Sequence, residues 1–148
     1  MDAAASTNYA IDGPGAATMS YQLAIHEKPG YLHFQVTGEN SVQSVRGYLL
    51  EVSAACAQRQ CATVLIEENL QGTGLSLVQI FEIVATGTEQ PLLHIRRIAY
   101  VDVNSQHSPP NMKFAETVAV NRGLALRLFA KVADAEEWLR KAATQTEG

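Results

Sequence analysis

The sequence is organised around one stretch, residues 62–84, which reads ATVLIEENLQGTGLSLVQIFEIV. It opens with a near-continuous apolar run at residues 64–66, which predicts a buried strand over residues 62–67. Its last part spaces apolar residues three or four positions apart, at Leu77, Ile80, Phe81 and Val84. This spacing predicts an amphipathic helix with those four side chains facing inward. A strand, a glycine-containing loop and a helix in succession indicate an α/β fold.

The flanking segments extend the same alternation of strands and helices. Apolar and polar residues alternate at residues 21–27 and 31–37, on either side of a Pro-Gly pair. This pattern predicts an antiparallel hairpin. Further strands are predicted at residues 97–103 and 124–129. Further helices are predicted at residues 42–59 and 112–121, and from Asp134, where Glu137 completes a capping box.

The resulting order is β-β-α-β-α-β-α-β-α, which predicts a five-stranded, mixed and mostly parallel sheet. The hairpin strands carry polar side chains on one face. The helices are therefore predicted mainly on one face of the sheet, with the other face partly exposed or used in self-association.

Composition and the terminal segments indicate one domain and the class of protein to which it belongs. We predict a domain at residues 19–141, with a disordered tail at residues 1–18 and a second tail at residues 142–148. The formal charge of −4 argues against a nucleic-acid binder, and no apolar run approaches the roughly 18 residues that cross a bilayer. Without a secretory signal, Cys56 and Cys61 are expected to be free thiols in the cytoplasm. Neither a metal site nor a cofactor is predicted.

Three segments resemble the SpoIIAA-like proteins of the STAS superfamily, and they occur in the order found in that family. They read YLHFQVTGEN at residues 31–40, RIAYV at residues 97–101 and KFAETVAVNRGLALRLFAKVADAEEWL at residues 113–139. The resemblance covers residues 21–140 and implies a βα superhelix whose strand order follows the sequence. It also implies relatives that act as anti-anti-sigma factors and as regulatory or transporter-linked interaction modules.

In those relatives the loop after the third strand reads Asp-Ser-Ser-Gly-Leu, and a partner kinase phosphorylates its first serine. The matching residues here are Gln71, Gly72, Thr73, Gly74 and Leu75. Gln71 takes the place of the aspartate, and Gly72, which has no hydroxyl group, takes the place of the phosphoacceptor. Thr73 matches the second serine and is the candidate for phosphorylation in this loop. The resemblance therefore implies an interaction module without the usual phosphoserine switch.

The same loop, extended to Ser76, is the predicted binding site. Its members are Gln71, Gly72, Thr73, Gly74, Leu75 and Ser76. Backbone N–H groups at the start of a helix can bind an anion, and the exposed loop can contact a protein partner. The alternative is purely structural, with two glycines allowing a tight turn and Thr73 or Ser76 capping the helix.

Other polar residues are weaker candidates. Glu67 and Glu68 are predicted to end the strand as solvated charges on opposite faces, which argues against a shared acid–base site. The histidines are scattered along the chain and show no metal-ligand spacing; they are His26, His33, His94 and His107.

Two functions follow as hypotheses. The first is a non-enzymatic module that binds a protein partner through residues 71–76, the start of the next helix and residues 104–111. The second is a domain that binds a small apolar molecule or lipid in a cavity between helices and sheet, which would need roughly several hundred Å³. An enzyme ranks third because no catalytic set is recognisable, and a homodimer remains open.

Overall fold

The computed structural model describes residues 7–10, 21–72, 74–87, 94–104 and 109–146. The elements in chain order are β1 (Thr7–Ala10), β2 (Tyr21–Lys28), β3 (Tyr31–Glu39), α1 (Val42–Arg59), β4 (Thr63–Gln71), α2 (Leu77–Gly87), β5 (Arg97–Asp102), α3 (Pro109–Asn121), β6 (Leu126–Phe129) and α4 (Val132–Thr146). From Tyr21 onward the order is β-β-α-β-α-β-α-β-α, so the predicted succession of elements is confirmed.

The strands form one mixed sheet in the order β1-β2-β3-β4-β5-β6. β2 and β3 make the predicted antiparallel hairpin, with Lys28 opposite Tyr31, and β3 to β6 pair in parallel. These five strands are the predicted sheet. β1 extends it by pairing antiparallel with β2. The composition of residues 1–18, mostly Ala, Gly, Ser and Asp, predicts a disordered tail that includes Thr7–Ala10, and four residues are too few to show the alternating pattern of a strand.

The two faces of the sheet carry separate cores. On the first face, Val64 and Ile66 of β4 join a large cluster with residues of α1, α2 and α3. On the second face, Leu65 joins a smaller cluster with Ala135 and Leu139 of α4. Three helices thus cover one face and one helix covers part of the other, as the polar pattern of the hairpin predicts.

Local signals fix the helix ends. Ser41 caps α1, and its hydroxyl oxygen accepts a hydrogen bond from the Ser44 N–H at 3.1 Å. Gly123 follows α3 with φ of +92°, a left-handed conformation that glycine adopts without steric cost. The predicted capping box at Asp134 is wrong in position, because α4 begins two residues earlier and Asp134 lies in its first turn.

Several predicted boundaries differ from the structure. β4 continues past Glu67 to Gln71, because β3 pairs with it along its whole length through Glu39. α4 continues to Thr146, beyond the predicted domain end at residue 141. Of the predicted N-terminal tail, residues 1–6 and 11–18 lie outside the described residues, as do residues 147–148 of the C-terminal tail.

Candidate functional site

The loop after β4 lies at the carboxyl edge of the parallel strands. Gln71 is the last residue of β4, and its carbonyl oxygen accepts a hydrogen bond from the Asn40 N–H at 2.8 Å. Gly72 follows with φ of +112°, whereas Thr73 lies outside the described residues. The carboxyl edge of a parallel sheet is where such folds hold their ligands. The predicted loop therefore occupies a position suited to binding.

Ser76 begins α2 with a reciprocal capping box. The Ser76 hydroxyl accepts a hydrogen bond from the Gln79 N–H at 3.1 Å, and the Gln79 side-chain oxygen accepts one from the Ser76 N–H at 2.9 Å. These bonds use two of the N–H groups that the helix start would otherwise offer to an anion. Ser76 is thus the cap that the structural alternative predicts.

The first turns of α2 expose three apolar side chains. Leu77 is 48% exposed, Val78 is 67% exposed and Phe81 is 45% exposed. We call these three residues the α2 patch. The prediction that Leu77 and Phe81 face inward is wrong, because α2 turns Ile80 and Ile83 toward the sheet instead.

A cavity of about 100 Å³ lies between the first face of the sheet and helices α1, α2 and α3. Most of its lining is apolar, and its polar residues are Asn40, Tyr48, Glu68, Tyr100, Asp102 and Asn111. Gly74 and Leu75 also line it, so the loop borders the cavity. The Asn111 side-chain amide donates to the Leu75 carbonyl oxygen at 3.1 Å, which ties the loop to the start of α3. The volume is below the several hundred Å³ that a lipid would need.

A buried carboxylate stands at the polar end of this cavity. Glu68 is only 3% exposed, and the Tyr48 hydroxyl donates a hydrogen bond to it. Tyr100 hydrogen-bonds to Glu68 from the neighbouring strand. Burial raises the pKa of both tyrosines well above the usual range, and the Glu68 carboxylate raises it further. Both hydroxyls therefore stay protonated and act as donors near neutral pH.

The description of Glu67 and Glu68 as solvated strand ends is wrong, because β4 continues three residues past Glu68. The alternation of side chains does place them on opposite faces, as predicted. Two features of the sequence indicate that Glu68 and Tyr48 are buried together. Glu68 follows Val64 and Ile66 at the inward positions of β4, and Tyr48 falls on the apolar stripe of α1.

On the second face, Glu67 belongs to a polar network. The Nε2 atom of His33 lies 2.8 Å from a Glu67 oxygen, and the Gln35 side-chain amide donates to the same oxygen at 3.2 Å. The His26 and His33 rings are 5.8 Å apart. Sequence spacing misses this pair because the hairpin brings the two residues opposite each other across the strands. Counting outward from the Pro-Gly turn would have found it.

Burial also acts on His33 in this second-face network. It lowers the pKa of His33, and the Glu67 carboxylate opposes part of that shift.

Among the described residues, no group of three or more His, Cys, Asp or Glu side chains is placed to hold a metal ion. Within the same part of the chain, none of the helices has the length and apolar character needed to cross a membrane. Cys56 and Cys61 are both free thiols.

Two solved structures align with this chain. An anti-sigma factor antagonist from Mycobacterium paratuberculosis aligns with a TM-score of 0.54 at 16% identity, over 82% of this chain and 95% of that one. An uncharacterized protein with a SpoIIAA-like fold from Shewanella loihica aligns with a TM-score of 0.49 at 16% identity, over 94% and 98% of the two chains. No protein-family model and no curated protein matches the chain. The first alignment confirms the predicted SpoIIAA-like fold.

The Tyr48–Glu68 contact yields a stability prediction. Tyr48→Phe removes a donor from a buried carboxylate and should lower the free energy of unfolding by about 1–3 kcal/mol. Urea denaturation followed by circular dichroism measures this change. Tyr31→Phe is the matched control, because Tyr31 donates to the half-buried Glu136 at 2.8 Å on the second face, and its loss should cost less. Equal losses in the two variants would contradict a special role for Glu68.

The lowered pKa of His33 predicts a pH dependence of stability. The unfolded chain binds a proton at His33 near pH 6.5, whereas the folded chain binds it only at lower pH. Stability should therefore fall as the pH drops below about 6.5. The groups that act on His33 are Glu67, Glu136 and His26. In His33→Gln the fall between pH 7 and pH 5 should be smaller, as measured by urea denaturation at each pH. An unchanged slope would contradict the assignment.

Proposed function

We propose that this chain is a protein-interaction module that acts without catalysis. Its docking surface would be the loop at residues 71–76 together with the α2 patch. Of the predicted segment at residues 104–111, Asn111 lies near this surface because its side-chain amide donates to the Leu75 carbonyl oxygen, and residues 105–108 lie outside the described residues. The observation that carries the proposal is the exposure of Leu77, Val78 and Phe81 side by side at the start of one helix.

Adjacent exposed apolar side chains beside a polar loop are typical of protein-binding surfaces. Phe81 has the size of an anchor residue, and the Arg122 guanidinium lies 5.9 Å from the centre of its ring. The fold supports the same conclusion. A solved protein with this fold is an anti-sigma factor antagonist, and the target in that designation is itself a protein.

Regulation of this surface by a phosphoserine is not expected, since Gly72 has no hydroxyl group to modify. Phosphorylation of Thr73 stays a prediction. It would add nearly two negative charges to the loop that precedes α2 in the sequence and would oppose binding of an apolar partner. The free thiols of Cys56 and Cys61 fit a reducing compartment such as the cytoplasm. Self-association through the same patch is an outcome that the test below distinguishes.

The test of this surface is capture of partners from a lysate of the source cells. Val78→Asp and Gly74→Asp should each weaken the binding of a captured partner by about tenfold or more, because a charge would be buried in the interface. Gly74 has open space where a Cβ atom would lie, so the aspartate fits there. Both substitutions should change stability by no more than about 0.5 kcal/mol, as is usual for exposed positions.

Leu50→Asp is the matched control, since Leu50 is 58% exposed on α1 and lies outside the proposed surface. It should leave capture unchanged. Size-exclusion chromatography with light scattering would show whether the captured partner is a second copy of the chain. Loss of the partner in all three variants, or in none of them, would place the binding surface elsewhere.

Binding of a small molecule is a second candidate function, favoured by the cavity of about 100 Å³ beneath α2 and α3. A well-packed core has few voids larger than a water molecule. Dissolved xenon, which enters dry apolar cavities, should shift the methyl NMR signals of Ile80 and Ile83. Leu23 is buried away from the cavity lining and serves as the control. No shift at either isoleucine would show that the space is closed to ligands.

A further inference from the structure

The cavity is polar at one end and apolar along the rest of its length. In the parallel register, Ile98 of β5 lies beside Leu126 of β6 at the amino-terminal end of the cavity. Glu68 of β4 lies beside Asp102 of β5 toward the carboxyl edge. These four residues all line the cavity. A ligand inside it would therefore lie with a polar group at the loop end and an apolar body toward Ile98.

The polar end carries two carboxyl groups. Glu68 and Asp102 are direct neighbours on adjacent strands, which run about 4.8 Å apart, and both side chains line the same cavity. Tyr48 donates to Glu68, and the Asn104 backbone N–H donates to Asp102 at 3.0 Å. Two carboxylates in a region of low dielectric attract a cation strongly and repel an anion.

The apolar part limits the size of a ligand. It is lined by aliphatic side chains from all three helices and the sheet, among them Leu49, Ile66, Ile80, Ile83 and Leu126. A volume of about 100 Å³ is smaller than the roughly 150 Å³ of an engineered cavity that binds benzene. A body of about four or five carbon atoms fits this space, whereas an acyl chain does not.

We propose that this cavity is a binding site for a small primary amine, with its ammonium group against Glu68 and Asp102 and its aliphatic body between α2, α3 and the sheet. This inference rests on the second candidate function, and it names the class of ligand. An ammonium is a compact cation with three donors and no acceptor, which suits two carboxylates on neighbouring strands. A carboxylate ligand would place a third carboxyl group at the same end.

The test uses three molecules with the same branched skeleton and different head groups: isobutylamine, isobutanol and isobutyrate. Each is titrated into the intact protein at pH 7, where the amine is protonated, and the methyl NMR signals of Ile80 and Ile83 are followed. Isobutylamine should bind about tenfold or more tightly than isobutyrate, because only the amine gains from the two carboxylates. Magnesium chloride is titrated separately as a probe for a metal ion.

Variants locate the site. Glu68→Gln and Asp102→Asn should each weaken the binding of isobutylamine by about tenfold while leaving the NMR shifts caused by xenon unchanged. Ala115→Leu adds volume to the cavity wall from α3 and should abolish both signals. Glu136→Gln, which alters a half-buried carboxylate on the second face, is the control and should change neither. If circular dichroism shows that Glu68→Gln does not fold, the test rests on Asp102→Asn and Ala115→Leu.

The outcomes separate the amine proposal from the function on which it rests. Xenon binding with tighter binding of isobutanol or isobutyrate would overturn the amine and leave the cavity as a ligand site. Shifts caused by magnesium but not by the amine would likewise overturn it in favour of a metal ion. No NMR shift with any probe would contradict both the amine proposal and the function of the cavity as a ligand site. Amine binding that is lost in Ala115→Leu and weakened in Asp102→Asn would establish the site.

Discussion

The burial of β4 on both faces is the constraint on which the rest of the structure depends. Val64, Ile66 and Leu70 enter the core beneath α1, α2 and α3, while Leu65 enters the core beneath α4. Each fully buried side chain of this kind contributes about 1.5–3 kcal/mol. A slip of one residue would exchange the two sets and move every inward side chain of β4 to the opposite face. The parallel pairing with β3 and β5 is therefore held by packing on two sides, and it sets the position of the loop that follows.

The same alternation gives two adjacent carboxylates different environments. Glu67 faces the second side, where His33 and Gln35 of β3 contact it. Glu68 faces the first core, where a carboxylate is tolerated only with donors around it. Tyr48 supplies one from α1, which ties that helix to the centre of the sheet. One buried carboxyl group thus links a helix to the sheet and gives the adjoining cavity its polar end.

The sequence predicts the fold well, because the signals for its elements are local. The alternation of the hairpin, the stripe of α1 and the apolar run of β4 are each visible in fewer than about twenty residues. The site is less predictable, because its members come together only through pairing between strands. Glu68 and Asp102 lie beside each other solely because β4 and β5 are in register, and His26 meets His33 only across the turn. Periodicity within one segment carries no information about such neighbours.

The orientation of α2 shows a different limit of periodicity. Its first seven residues read LVQIFEI, and only Gln79 and Glu82 interrupt an apolar surface that continues around the helix. A pattern of this kind fits several inward faces, so it does not determine which side chains are buried against the sheet. The sheet buries Ile80 and Ile83 and leaves Leu77, Val78 and Phe81 outside. A helix with more apolar surface than its own core can cover carries an excess that a partner can bury. The residues that mislead the fold prediction are therefore the ones that support a role in binding.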